Sequence, residues 1–395
     1  MLELLSGSAL AVLVALHLVT VYVAATAPLL SAWLAWRASR RATADALVDG
    51  VARDLARLAL MALTAGIALG LVLLGIAWFV GRPAYLEALA SIPHSRYGFA
   101  VAELLFAYAC LGAYVGLWRR MAWHRGWHAL LAVAGATNLL YHFPALFVVI
   151  SLLATRPELA TEPVSFRALL VEPEALARWA HHVLAGVTVA AAALFVVVLR
   201  LARRRTAGIK TEMGAATSRS DASPTTDATA IGLTIWGGRL ALVAASLQLP
   251  VGLVLLLVAP PGSRRLLTGA DLITTSSFVL GLLAALGLLH HLAAIALGDV
   301  RKAVVRRSVL LLALVLVTMV LMRQRTREAA YVQQLAIGPS AASAHAEVAA
   351  GAEVAPRRAL AQSDATAQSA ASHPLALGGS TAAPTLDSNG RLSGE

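Results

Sequence analysis

The chain has 395 residues, of which 59% are hydrophobic and 13% charged, about half the charged share of a soluble domain. A formal net charge of +11 would suit a nucleic-acid ligand, but the cations lie in loops between apolar runs rather than on one basic face, which excludes that class. A single cysteine, Cys110, excludes an internal disulfide, and no Cys-x-x-Cys-His stretch occurs for covalent attachment of a cofactor.

Eight apolar runs predict membrane-spanning helices near 7–36, 57–80, 98–118, 128–153, 179–200, 236–259, 271–297 and 304–322. Each is long enough to cross a hydrocarbon core of ~30 Å. Helices are expected because lipid offers no partners for backbone amides, and the alternating strands of a membrane barrel are absent. The fold class is therefore an all-α polytopic membrane protein. The first run exceeds the apolar region of a signal peptide and reads as an uncleaved anchor. Gly66, Gly70, Gly75 and the stretch "GAYVG" (112–116) are expected to let helices approach closely. Pro144 in the fourth run frees a backbone carbonyl and is expected to bend the helix. In the sixth run Gln248 stands two residues before Pro250. It reads either as the satisfied edge of a kink or as a polar contact to a cofactor carboxylate or quinone.

Residues 1–322 form one membrane domain, with a flexible polar loop expected over 203–230. Residues 323–395 are rich in Ala, Ser, Thr, Gly and Pro. A short helix is expected to continue through 327–337, and the rest of the tail to be disordered because it has too little apolar surface to bury. With the N-terminus outside, the loops near 37–57, 119–125, 200–219 and 301–307 hold 18 Lys and Arg, and the opposite loops hold 7. The first set belongs in the cytoplasm, and eight spans then place the C-terminus outside. Arg323, Arg325 and Arg327 run against this rule.

Ionisable groups inside a bilayer are costly and point to function. Those within the runs are His17, Glu103, His142, His181, His182, His290 and His291. At 1.5 Å per residue, His17, Glu103, His142 and the pair His181–His182 fall in the outer half. Imidazoles and a carboxylate at one depth suit iron porphyrin, whose apolar body suits a bundle interior. His17, Glu103, His142 and His181 are the candidate metal ligands, with a b-type haem expected and haem count and a d-type haem left open. A proton relay is the rival reading, and each residue alone is also explained by an ordinary interhelical hydrogen bond. His128 lies at a depth similar to His290 and His291, so an inner site there stands beside a reading of interfacial histidines. Adjacent helical positions point about 100° apart, so His181 and His182 cannot both face one iron.

Three stretches carry a family resemblance: "LHLVTVYVAATAPLLSAWLAW" (16–36), "AVAELLFAYACLGAYVGLW" (100–118) and "RWAHHVLAGVTVAAAALFVVVLR" (178–200). Together with "GATNLL" (135–140), they resemble subunit I of cytochrome bd-type quinol oxidases over about residues 10–200. The resemblance implies that His17 is a haem ligand early in the first helix. It implies the same for Glu103, which Val115-Gly116-Leu117 follows at the family's spacing, so Glu103 and His17 would hold or border the catalytic high-spin site. His181 takes the position of the low-spin ligand, with Gly186 letting a neighbouring helix approach, and His182 becomes an outer or alternative ligand. Electron transport in a bacterial cytoplasmic membrane is implied, from quinol or another donor to oxygen, with a second membrane subunit as partner.

The departures are specific. The family's second glutamate is replaced by Leu111, and the long quinol-binding loop by "PPGSRRLLTGAD" (260–271). The Gly-Arg-Gln-Pro-Trp stretch and the methionine opposite the low-spin histidine are missing, and the family's nine spans are eight. His142 is the preferred replacement for that methionine, in a bis-histidine site with His181. A haem-free transporter or proton-conducting protein and a redox-inactive scaffold subunit are the alternative functions.

Overall fold

The computed structural model describes residues 2–40, 46–80, 83–154, 156, 166–213 and 224–329. Eight long helices run among them: α1 (Leu2–Ser39), α2 (Ala46–Val80), α3 (His94–Gly116), α4 (Arg125–Leu153), α5 (Pro173–Met213), α6 (Pro224–Val258), α7 (Leu272–Ala296) and α8 (Lys302–Ala329). No strand occurs among the described residues. The shortest, α3, has 23 residues, about 35 Å of helix at 1.5 Å per residue. All eight are long and apolar enough to cross a membrane, so the chain is a multi-pass all-α bundle. Because successive spans alternate in direction, the N-termini of odd helices and the C-termini of even ones share one end, called outer because the basic loops lie at the other, the inner end.

Helix α1 is the hub and packs against α2, α4 and α5. Buried alanines of both helices, Ala24, Ala25, Ala27, Ala32 and Ala35 of α1 and Ala52, Ala56 and Ala59 of α2, belong to one core cluster. Lipid is as apolar as any side chain, so close backbone packing and hydrogen bonds must hold such helices together. Ser31 Oγ supplies one of these bonds, donating to the Ala52 carbonyl at 2.7 Å. Two of the glycines singled out in the sequence serve the same contact. A Cβ at Gly66 would come 3.2 Å from Thr20 Oγ1, and one at Gly70 would come 3.1 Å from His17 Cε1.

Gly75, Gly112 and Gly116 do not behave as expected, since nothing lies within 4 Å of an added Cβ at any of them. The packed face of α3 is Ala107, Cys110, Leu111 and Tyr114, which the Gly-x-x-x-Gly stretch does not share. The close approaches missed in the sequence include Gly135, where α4 meets Cys110 of α3, Gly237, where α6 meets Leu194 and Phe195 of α5, Gly238, where α6 meets Ile295 of α7, and Gly281, where α7 meets Thr318 of α8.

Pro144 has no N–H, so the carbonyl of Leu140 loses its partner within α4. The Trp179 indole N–H of α5 donates to that carbonyl at 3.1 Å, and α4 runs on without a break. Two boundaries shift from expectation. Helix covers 203–213 and 224–230, most of the loop expected to be flexible, and 214–223 lie outside the described residues. α8 continues to Ala329, beyond the expected end at 322, while the remainder of the tail lies outside the described residues.

Candidate functional site

The start of α5 brings His181 and His182 into the bundle beside α1. His182 packs on Tyr22 with ring centroids 4.5 Å apart. One turn deeper, Thr26 of α1 donates to the Gly186 carbonyl at 2.8 Å. A Cβ at Gly186 would come 2.9 Å from Thr26 Cγ2, so glycine is what permits this approach. Each histidine buries one ring nitrogen without a hydrogen-bond partner, Nδ1 of His181 and Nε2 of His182. A buried polar atom left unpaired costs about 1–3 kcal/mol.

Above this pair lies a cluster that the sequence did not reveal. Arg156 donates to Glu172 at 3.1 Å and to Glu174 at 2.6 Å, and Arg178 also donates to Glu174. Arg178 and Arg323 each donate to Ser151 Oγ at 3.1 Å, and Arg327 donates to the same atom. A hydroxyl oxygen offers two lone pairs, so three guanidinium donors exceed its capacity. Arg323 makes no ion pair with a described carboxylate, although Glu174 lies within reach of its charge, as do Tyr22, His181 and His182. The extension of α8 accounts for two of the three cations that ran against the charge rule, since Arg323 and Arg327 turn inward onto Ser151 of α4. The only signal in sequence was the arginine spacing of four, which places both on one helix face.

The other predicted residues form two further loci. His17 Nδ1 donates to the Gly66 carbonyl at 3.0 Å, which leaves Nε2 with the lone pair. A backbone partner on one ring nitrogen is the usual arrangement for a histidine that ligates through the other. Glu103 of α3 and His142 of α4 face each other, with Oε2 and Nδ1 3.2 Å apart and Phe99 edge-on to the imidazole at 5.5 Å. The carboxylate atom is buried and the contact is not aligned as a hydrogen bond. His142 thus turns to Glu103 and makes no contact with His181. A carboxylate in low dielectric draws the nearest imidazole. Gln248 donates to Thr188 of α5 at 3.1 Å, tying α6 to α5 rather than serving the backbone beside Pro250.

A scan against protein-family models finds no match, and a search of curated proteins finds none. Among the described residues no group of three or more His, Cys, Asp or Glu side chains is arranged to hold a metal ion. Haem iron takes only one or two axial protein ligands, so pairs and single histidines are the relevant sets.

At the inner end one polar network is closed, although among the described residues the buried Arg53 Nε of α2 has no partner there. His128 is 1% exposed, and its Nε2 donates at 2.7 Å to the Tyr114 carbonyl, one of the last four of α3, which lack helical donors. Asp49 accepts from Arg125 at 2.8 Å and from the Trp118 indole at 3.3 Å. The Tyr114 hydroxyl lies 3.0 Å from Ser31 Oγ. His290 and His291 touch each other on α7, while both ring nitrogens of His128 are engaged, by the Tyr114 carbonyl and by Arg125.

Proposed function

We propose that the chain is a membrane-bound haem protein of an electron-transport chain, resembling the haem subunit of bd-type quinol oxidases. The observation that carries this reading is the pair of buried, partnerless imidazole nitrogens at His181 and His182 beneath a guanidinium without a carboxylate. A b-type haem fits this donor set. An imidazole lone pair takes the iron, and Arg323 and Arg178 suit the carboxylates at the porphyrin edge. His181 is the assigned ligand, and His182 is held against Tyr22 as its neighbour. When bound, the haem supplies one-electron chemistry. The chain sets its depth, excludes water with the apolar faces of α1 and α5, and places positive charge at the outer edge, where quinol or another donor arrives.

His17, with its backbone-fixed ring, and Glu103, paired with His142 at a separate locus, are the proposed candidates for a further haem ligand. There Glu103 holds or passes a proton across Oε2 and Nδ1. Residence in a bacterial cytoplasmic membrane, a second membrane subunit, and oxygen as acceptor belong to the same proposal. The Glu103–His142 pair also favours a second reading, a haem-free proton-conducting protein.

The reduced-minus-oxidised spectrum of the purified protein separates the two. A b-type band that His181→Ala abolishes and His182→Ala retains is expected. A folded, colourless protein overturns the haem reading.

A further inference from the structure

A cavity of about 360 Å³ opens between α5 and α8 at the inner end, lined by Val196, Leu199, Lys302, Val305, Arg306 and Val309. Its walls are aliphatic, and its charged groups are two cations four residues apart, which places them on one face of α8. Neither makes an ion pair with a described residue, and Asp299, the acid nearest in sequence, is taken by Arg301 at 2.6 Å. Lys302 is the first residue of α8, where the positive end of the helix dipole already disfavours a cation. Arg200 and Arg204 near the inner end of α5, and Arg307 on α8, add positive charge at the same end. Among the described residues no carboxylate pairs with Lys302 or Arg306, and the rest of the cavity lining is aliphatic.

We propose that this cavity binds an anionic phospholipid, with the phosphate at Lys302 and Arg306 and an acyl chain along Val196, Leu199, Val305 and Val309. The wall from Lys302 to Val309 runs seven residues, about 10 Å along the helix axis, which accommodates the glycerol and the upper part of a chain. A soluble anion would gain the two cations but nothing from the aliphatic wall, whereas a lipid gains both. Basic pockets between spans on the cytoplasmic side select acidic headgroups, and the distribution of Lys and Arg assigns this end to the cytoplasm. The proposal is independent of haem.

The test is native mass spectrometry of the full chain in neutral detergent, titrated with dioleoylphosphatidylglycerol or dioleoylphosphatidylcholine. Wild type is expected to retain phosphatidylglycerol preferentially. Lys302→Gln and Arg306→Gln are each expected to weaken it about fivefold, and the double variant about thirtyfold, from about 1 kcal/mol per basic residue. Arg306→Lys should restore most of the binding, and Arg264→Gln/Arg265→Gln at the opposite end should leave it unchanged. Equal retention of the two lipids, an unaltered double variant, or displacement by inorganic phosphate at the lipid's own concentration would overturn the proposal. Should the double variant aggregate, the single variants and the lysine rescue decide the outcome.

Discussion

The two ends of the bundle treat their buried histidines in opposite ways. At the inner end each side chain of the Asp49–Arg125–His128–Tyr114–Ser31 network has a partner, with the buried Arg53 Nε left without a described partner outside it. At the outer end three guanidinium groups crowd one hydroxyl, and two imidazole nitrogens have no partner. Both ends contain a buried histidine and arginines, so residue type alone does not separate them. Satisfaction does. A closed network holds helices in register, while an open one stores unmet demand for an acceptor or a ligand.

The difference can be broken most forcefully by removing one cation from each end. Arg125→Met removes the guanidinium donor of Asp49, leaving it the Trp118 indole, and the donor of the Trp118 carbonyl, with an expected loss of about 2 kcal/mol after allowing for the partial exposure of Asp49. Arg323→Met removes a buried charge that has no carboxylate and is expected to leave the ligand-free protein as stable or more so. Denaturant titration in detergent reads both. A large loss for Arg323→Met with no loss for Arg125→Met would reverse the assignment of closed and open ends.

Much of this was legible in sequence, for identifiable reasons. Apolar length fixes helices because lipid leaves no alternative, so the eight spans emerge with only their ends shifted. Gly70 and Gly186 could be named in advance because a small residue has few other uses at a helix contact. The outer cluster was hidden because Ser151, Arg178 and Arg323 lie on three helices far apart in the chain, and no local spacing links them. The direction of His142 was hidden for the same reason, since a helix position gives depth but not which neighbour it faces. Trp179 read only as part of a histidine motif until the carbonyl freed by Pro144 was found beneath it.

Trp179→Phe sharpens the boundary between satisfied and unsatisfied groups, since it adds one orphan carbonyl beside the histidines. A loss of about 1 kcal/mol is expected, and a melt indistinguishable from wild type would mean that water replaces the indole. The smallest effect belongs to Asp271, which caps α7 by accepting from the Thr274 amide at 2.8 Å. Hydrogen bonds from the Thr274 side chain and backbone hold its carboxyl below the ordinary value of 3.8. Its contribution is therefore complete above that value and fades as pH falls through the lower folded value. Asp271→Ala should cost about 1 kcal/mol at neutral pH and progressively less in acid, read as melting midpoint against pH. A cost that grows in acid would contradict the cap.

The most direct measurement is the haem-to-chain ratio of purified wild type, His181→Ala/His182→Ala and His128→Ala. Haem bound by wild type and by His128→Ala, but absent from the double variant, is the predicted result. Haem retained by the double variant, or lost with His128 alone, would contradict the assignment of the ligand site to the open end.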